Sequence, residues 1–148
     1  IICDGTRGKV SSISYTSTML EAIDGSVIAF QNSQLFSKNY KNMTKNHGYE
    51  LDALEVGVAY GSNIKEVKQI LIKELLKLDC INKEKGVKVL LKSFDDSCIT
   101  LKIVVWVNVL TQAMDDATIM ECIYDTLNEH NIEIPFPQRE ITIKQVNN

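Results

Sequence analysis

The sequence predicts an α+β fold in two parts, a small all-β part followed by a mixed part, on three observations. The first third is rich in β-formers broken by glycine-bearing turns and shows no helical period. From Tyr49 the apolar period switches between two and 3.6, in the order strand, helix, strand, strand, helix. Beyond the second helix, Pro135 and Pro137 forbid helix, and the chain runs into an extended apolar segment carrying Ile141, Ile143 and Val146.

In the first part, strands are expected at 8–13, 18–23 and 27–30, with no helix among them. Asp24-Gly25 can take the positive φ angles of a two-residue type I′ hairpin turn. The polar stretch 37–48, heavy in Asn and Lys, reads as a wet connector. A boundary near His47 then divides the chain into 1–46, 47–132 and 133–148.

The second part opens on a strand with Leu54, Val56 and Val58 on one face and leaves it through Gly61-Ser62-Asn63. Asn63 is placed to cap a helix, with Glu66 reaching back, and Ile64, Val67, Leu71, Leu75 and Leu78 recur at helical spacing. Strands at 87–94 and 99–107 form a hairpin around Asp95-Asp96-Ser97, and Ile99, Leu101, Ile103, Val105 and Val107 share one side. A second helix spans 112–130, with Thr111 as cap, Asp115 and Asp116 near its positive end, and Ile119, Cys122, Ile123, Thr126 and Leu127 inward. Asn131 suits the left-handed stop. This element order begins a ferredoxin-like sandwich, with helices over one face of a small sheet. The closing strand falls after both helices and is a candidate for pairing between subunits.

A net charge of -3 leaves no electrostatic footprint for nucleic acid. The four cysteines form no C-x-x-C pair and fit buried free thiols in a reducing compartment. The most apolar run, 99–110, is too short to cross a bilayer as a helix. The opening Ile1-Ile2-Cys3 lacks a methionine and a signal peptide, and the chain is expected to be a fragment of a longer protein. His47 and His130 share no metal-ligand spacing, and His130 suits a helix C-terminus. Cys98 has no basic partner nearby in sequence, Asp95-Asp96 reads as a solvated turn, and Trp106 and Phe94 are assigned to the core. Gly57-x-x-x-Gly61 lacks the ending of a phosphate loop. No catalytic constellation, metal site or cofactor is expected.

Several of these residues stand in an order that resembles the small-conductance mechanosensitive channel (MscS) family. They are Gly8-x-Val10-x-x-Ile13, Thr18, Asp24-Gly25 and Asn32-Ser33, then Gly57-Val58-Ala59-Tyr60, Val67-Lys68-Gln69-Ile70-Leu71 and Trp106-Val107. The most specific is Ile132-Glu133-Ile134-Pro135-Phe136-Pro137-Gln138. The resemblance implies a homoheptamer held in the bacterial inner membrane by helices absent from this chain. Its β-rich part would form an Sm-like ring, and its second part the walls of a hollow cytoplasmic vestibule. The last strands, here Ile141, Ile143 and Val146, would close an intersubunit β-barrel, and ions and small solutes would enter through side portals. Asn39, Asn42, Lys45 and Asn46 are the candidates to line those portals. The sequence departs from the family where Gln31 replaces a proline, and where Gly61 and Asn63 replace frequent acids.

The function read from this is a conduction and structural role under membrane tension, for osmotic protection, without catalysis. The alternative is a ferredoxin-like module that binds a regulatory small molecule between subunits. An Sm-like RNA-binding ring suits the first part's shape but not its charge.

Overall fold

The computed structural model describes residues 1–45, 47–137 and 139. The chain divides into two compact units, Ile1–Glu50 and a second from Leu51 onward, and the fold is mixed α/β with antiparallel strand pairing.

In the first unit, strands β1 (Ile2–Cys3), β2 (Thr6–Ile13), β3 (Ser17–Ala22) and β4 (Val27–Gln31) pair antiparallel in sequence order. Gly8 lies where β2 and β3 approach closely. A Cβ there would stand 2.7 Å from the Glu21 carbonyl oxygen, so no larger residue fits without moving backbone.

The sequence holds two Asp-Gly pairs, and they build different loops. Asp4 (φ 50) and Gly5 (φ 78) are both left-handed between the paired Cys3 and Thr6, which is the two-residue type I′ geometry. The type I′ turn expected at Asp24-Gly25 does not form, because only Gly25 has positive φ, at 83°. The Asp24 carboxylate instead accepts from the Ser26 amide at 2.9 Å and the Ser26 hydroxyl at 2.6 Å. The Ala22 amide reaches the Ser26 carbonyl at 2.8 Å, closing a three-residue loop with its left-handed residue last.

The expectation of no helix in this part is also corrected, since Asn32–Ser37 forms α1. Six residues cannot sustain a helix by propensity, so tertiary bonds must hold its start. The Asn32 amide donates to the Thr16 carbonyl at 2.8 Å, and the Asn32 side chain donates to the carbonyls of Ser14 (2.9 Å) and Tyr15 (3.1 Å). Its oxygen accepts from the buried Thr18 hydroxyl at 2.7 Å. The 37–48 stretch is likewise less free than a wet connector. Lys41 exchanges both backbone hydrogen bonds with Ile2 at 2.9 Å, and Met43 is buried. The buried residues of this unit are few: Cys3, Leu20, Leu35, Met43 and the hydroxyl-bearing Thr18.

The second unit places β5 (Tyr49–Val58), β6 (Lys88–Phe94) and β7 (Ile99–Asn108) in the order β5-β7-β6, with α2 (Ile64–Leu75) and α3 (Gln112–Glu129). The expected stripe is borne out, with Ile99, Leu101, Ile103, Val105 and Val107 of β7 all buried. Val56 and Val58 of β5, Val67, Leu71 and Leu75 of α2, and Ile119, Ile123 and Leu127 of α3 complete one core with it. The Asn63 side chain caps α2 by accepting the Glu66 amide at 3.4 Å. That helix stops at Leu75, so Leu78 packs from the turn beyond it.

Three further expectations are corrected here. Thr111 makes no side-chain cap bond, because its hydroxyl donates to the Asp115 carboxylate at 2.7 Å. Phe94 is 70% exposed: it ends β6 opposite Ile99, at the turn end of the hairpin, where its side chain is left largely uncovered. Trp106 is half-buried on the face of β7 away from the helices, with the Lys85 ammonium 4.2 Å above its ring.

The left-handed stop at Asn131 (φ 54) is borne out and forms a complete Schellman closure. The Asn131 amide donates to the Asn128 carbonyl at 3.1 Å and the Ile132 amide to the Leu127 carbonyl at 2.8 Å. The chain then passes beside β5, where the Ala59 amide donates to the Glu133 carbonyl at 2.9 Å.

Two substitutions test this local chemistry. Gln31 already has the proline angle (φ -65). The next amide, Asn32, donates to the Thr16 carbonyl just before β3, and Gln31 itself stands opposite Ser17, so strand alternation turns the Gln31 N–H toward the open edge of β4. Gln31→Pro should therefore raise stability by about 0.4–1 kcal/mol in chemical denaturation. Asn32→Ala should lower it by about 1–3 kcal/mol, because the Thr18 hydroxyl loses its buried acceptor.

Candidate functional site

Two of the cysteines are held in settings that disfavour the thiolate. All four cysteines are free thiols; Cys3 is buried and Cys80, Cys98 and Cys122 are half-buried. Desolvation pushes the Cys80 thiol up from its ordinary range, and the nearby Asp115 carboxylate pushes the same way. Desolvation also raises Cys122, with Glu74, Asp125 and Glu129 adding to it against an opposing hydrogen bond from Thr126. Both thiols are therefore neutral at physiological pH, the opposite of an activated nucleophile.

The Asp95 carboxylate sits in the β6–β7 turn, held by the hydroxyls of Thr100 and Ser93, and these bonds lower its pKa. Among the described residues no three His, Cys, Asp or Glu side chains are grouped to hold a metal ion. His130 lies at the end of α3 with Nδ1 2.9 Å from the Thr126 carbonyl oxygen, a helix-terminal role.

What remains is surface, and the expected portal residues lie on it. Asn39, Asn42 and Lys45 are all exposed on the segment between α1 and β5. Asn42 is turned onto its own backbone, its oxygen accepting from the amides of Thr44 (3.2 Å) and Lys45 (3.1 Å) and from the Thr44 hydroxyl (3.2 Å). That turn fixes the backbone from which Lys45 projects. Upstream, the Lys38 ammonium pairs with the Asp4 carboxylate at 2.6 Å, which raises the Lys38 pKa. Sequence reasoning missed this pair, because 34 positions separate its members. The other four predicted site residues, Asn46, Ile141, Ile143 and Val146, lie outside the described residues.

Large apolar side chains are also exposed. In the first unit Tyr15 is 99% and Ile13 74% exposed, with Ile23 and Phe36 beside them in this class. Among the described residues no helix is long and apolar enough to cross a membrane.

Comparison with known proteins places these features in a family. Residues 52–134 match the model of the mechanosensitive ion channel MscS C-terminal region, and residues 1–45 match that of the mechanosensitive ion channel beta-domain. The small-conductance mechanosensitive channel of Edwardsiella ictaluri is 29% identical over 141 residues, covering 95% of this chain and 49% of that one. Its namesake in Helicobacter pylori is 26% identical over 141 residues, covering 95% and 51%. The chain thus spans about half the length of the curated relatives it matches. The crystal structure of Helicobacter pylori MscS in its closed state matches with a TM-score of 0.80 at 26% identity, over 97% of this chain and 56% of that one. Arabidopsis thaliana MSL1, with a TM-score of 0.69 and 13% identity over 89% of this chain and 50% of that one, shares the fold.

The thiols give a pH prediction. Folding raises the pKa of Cys80 and Cys122 above the ordinary 9.0, so the folded state keeps protons that the unfolded state loses. Their contribution is fully present below pH 9.0 and is lost as pH rises through the folded values. Denaturant midpoints should fall above that pH, and the loss should shrink in a Cys80→Ala/Cys122→Ala variant. At neutral pH, iodoacetamide labelling of both thiols should be slow until the protein is unfolded.

Proposed function

Since the chain belongs to the mechanosensitive ion channel MscS family, we propose that it is the water-filled vestibule region of a channel that passes ions and small solutes under membrane tension. The observation that carries this reading is the match of both units, in order, at residues 1–45 and 52–134. Two shared domains in the same succession support this context more strongly than a single one would.

In this reading residues 1–46 form an Sm-like β domain, 47–132 a ferredoxin-like domain and 133–148 an extended segment whose strand enters an intersubunit barrel. Seven copies surround a common hollow below the bacterial inner membrane, on the cytoplasmic side, and the membrane helices belong to sequence outside this chain. The first unit's small interior and exposed Ile13, Tyr15, Ile23 and Phe36 support assembly, because such a unit gains burial when copies pack together. The β5-β7-β6 order and two helices are what a ferredoxin-like half requires.

No bond is made or broken in this role, and the relatives named above are channels. The alternative, a small-molecule regulatory module, has little to stand on. The depression beside α2, where Val67, Ile70 and Ile132 stand among polar Ser62, Asn63 and Glu66, holds about 210 Å³, less than the roughly 300–1,000 Å³ of a small-molecule pocket.

Asn39, Asn42, Lys45 and Asn46 are placed at the portals in this proposal. A lysine ring at a constriction attracts anions and repels cations. Lys45→Glu in the full-length channel should shift the reversal potential in a salt gradient toward cation preference, and Asn42→Asp should shift it the same way by less. Reversal potentials that stay fixed in both variants would remove these residues from the conduction path. Tension-gated currents absent from membrane patches containing the wild-type full-length protein would remove the channel reading itself.

A further inference from the structure

The second unit sorts its charge and its exposed apolar groups onto two opposite faces. Helix α3 carries Asp115, Asp116, Glu121, Asp125 and Glu129 and no lysine or arginine. Ile119, Ile123 and Leu127 face the core, so helical spacing turns Met114, Ala117, Glu121 and Asp125 directly outward, with Tyr124 on the flank. Met114 is 77% and Tyr124 58% exposed, and Met120 is exposed as well. Helix α2 makes the control. Its outward residues Lys65, Glu66, Gln69 and Lys73 mix signs, and it exposes no large apolar side chain. The outer face of α2 is built for water, and that of α3 is half apolar and wholly acidic.

The sheet shows the complementary character on the side away from the helices. Lys88 pairs with Val104 and Leu90 with Lys102 across β6 and β7, so all four share the face opposite the buried Val89 and Ile103. Trp106 extends that face with Lys85 over its ring, and Lys92 reaches across it to Glu55 at 2.6 Å. Its charges are thus four lysines against two carboxylates, Glu55 and the Asp95 that Ser93 and Thr100 hold at its end, around an apolar patch of Val104, Trp106 and the exposed Leu90.

We propose that the outer face of α3 in one subunit docks on the helix-free sheet face of the next, acidic side to basic side, with Met114 and Tyr124 meeting Leu90 and Trp106. The occupant is a second copy of this chain, on the ground of charge complementarity and of apolar groups exposed on both faces. Because the two faces lie on opposite sides of one helix-on-sheet layer, the contact is head-to-tail, the kind that generates rings. This rests on the channel reading and gives it a specific seam. The competing use of the basic sheet face is to line the hollow, where it would draw anions rather than hold a neighbour.

Charge exchange in the full-length protein separates these. Glu121→Lys/Asp125→Lys, and separately Lys88→Glu/Lys102→Glu, should each lower the oligomer-to-monomer ratio of detergent-extracted protein at least about tenfold, since each brings like charges together. All four changes in one chain should restore the oligomer, which a folding defect would not do. Tyr124→Cys with Leu90→Cys should yield an intersubunit disulfide ladder, and either alone should not. Reversed charges that leave assembly intact but alter the reversal potential would overturn the seam and assign the lysine face to the conduit, with the channel reading standing. A wild-type protein that extracts as a monomer would overturn both.

Discussion

The buried alternation of β7 is the constraint on which the second unit depends. Ile99, Leu101, Ile103, Val105 and Val107 are 6% exposed or less, and both helices close over that stripe. Each such side chain is worth roughly 1.5–3 kcal/mol on leaving water. A slip of one residue would exchange the whole stripe for Thr100, Lys102, Val104 and Trp106, so the register has no near competitor. Everything chemical about the other face follows. The lysines and Trp106 stand where they do because the stripe leaves them nowhere else to point.

The first unit is organised by hydrogen bonds more than by burial. Its few buried residues are supplemented by Asn32, which ties two loops and the buried Thr18 to the start of α1, and by the Arg7–Glu50 ion pair. Unpartnered, the Thr18 hydroxyl and the loop carbonyls would each favour opening the unit. The family-like residues here thus have local reasons. Gly8 permits two strands to approach, and Asn32 satisfies three polar groups at once. Even the departure at Gln31 is mild, because the backbone adopts the angle that proline would have imposed.

How much of this was legible follows from the range of each interaction. The strands and helices of the second unit were readable because burial repeats along them, and Asn131 because a left-handed stop is a local property. The two Asp-Gly pairs looked alike. What separates them is Ser26, whose amide and hydroxyl occupy the Asp24 carboxylate and hold a longer loop, whereas Thr6 pairs directly with Cys3 after Asp4-Gly5. Helix α1 was invisible because its hold comes from Ser14, Tyr15 and Thr16, on another strand's flank. Phe94 was misassigned because apolarity alone was read as burial, whereas the end of the β6–β7 hairpin leaves it largely uncovered. Of the portal candidates, the sequence showed only polarity; the Asn42 turn and the Lys38–Asp4 pair, which decide what Lys45 stands on, depend on contacts that polarity does not encode.

Exposed groups of the second unit extend the same reasoning outward. An isolated layer has no use for a helix that carries carboxylates without a single cation while the far side of its sheet gathers lysines. Sequestered on opposite faces, the two sets cannot neutralise each other within one fold, and their fields persist about a Debye length into solvent. Mixed signs, as on α2, would cost nothing and would serve solubility equally well. Segregation of charge together with exposed Met114, Tyr124 and Leu90 is therefore best understood as half of a contact, one that identical subunits complete by repetition.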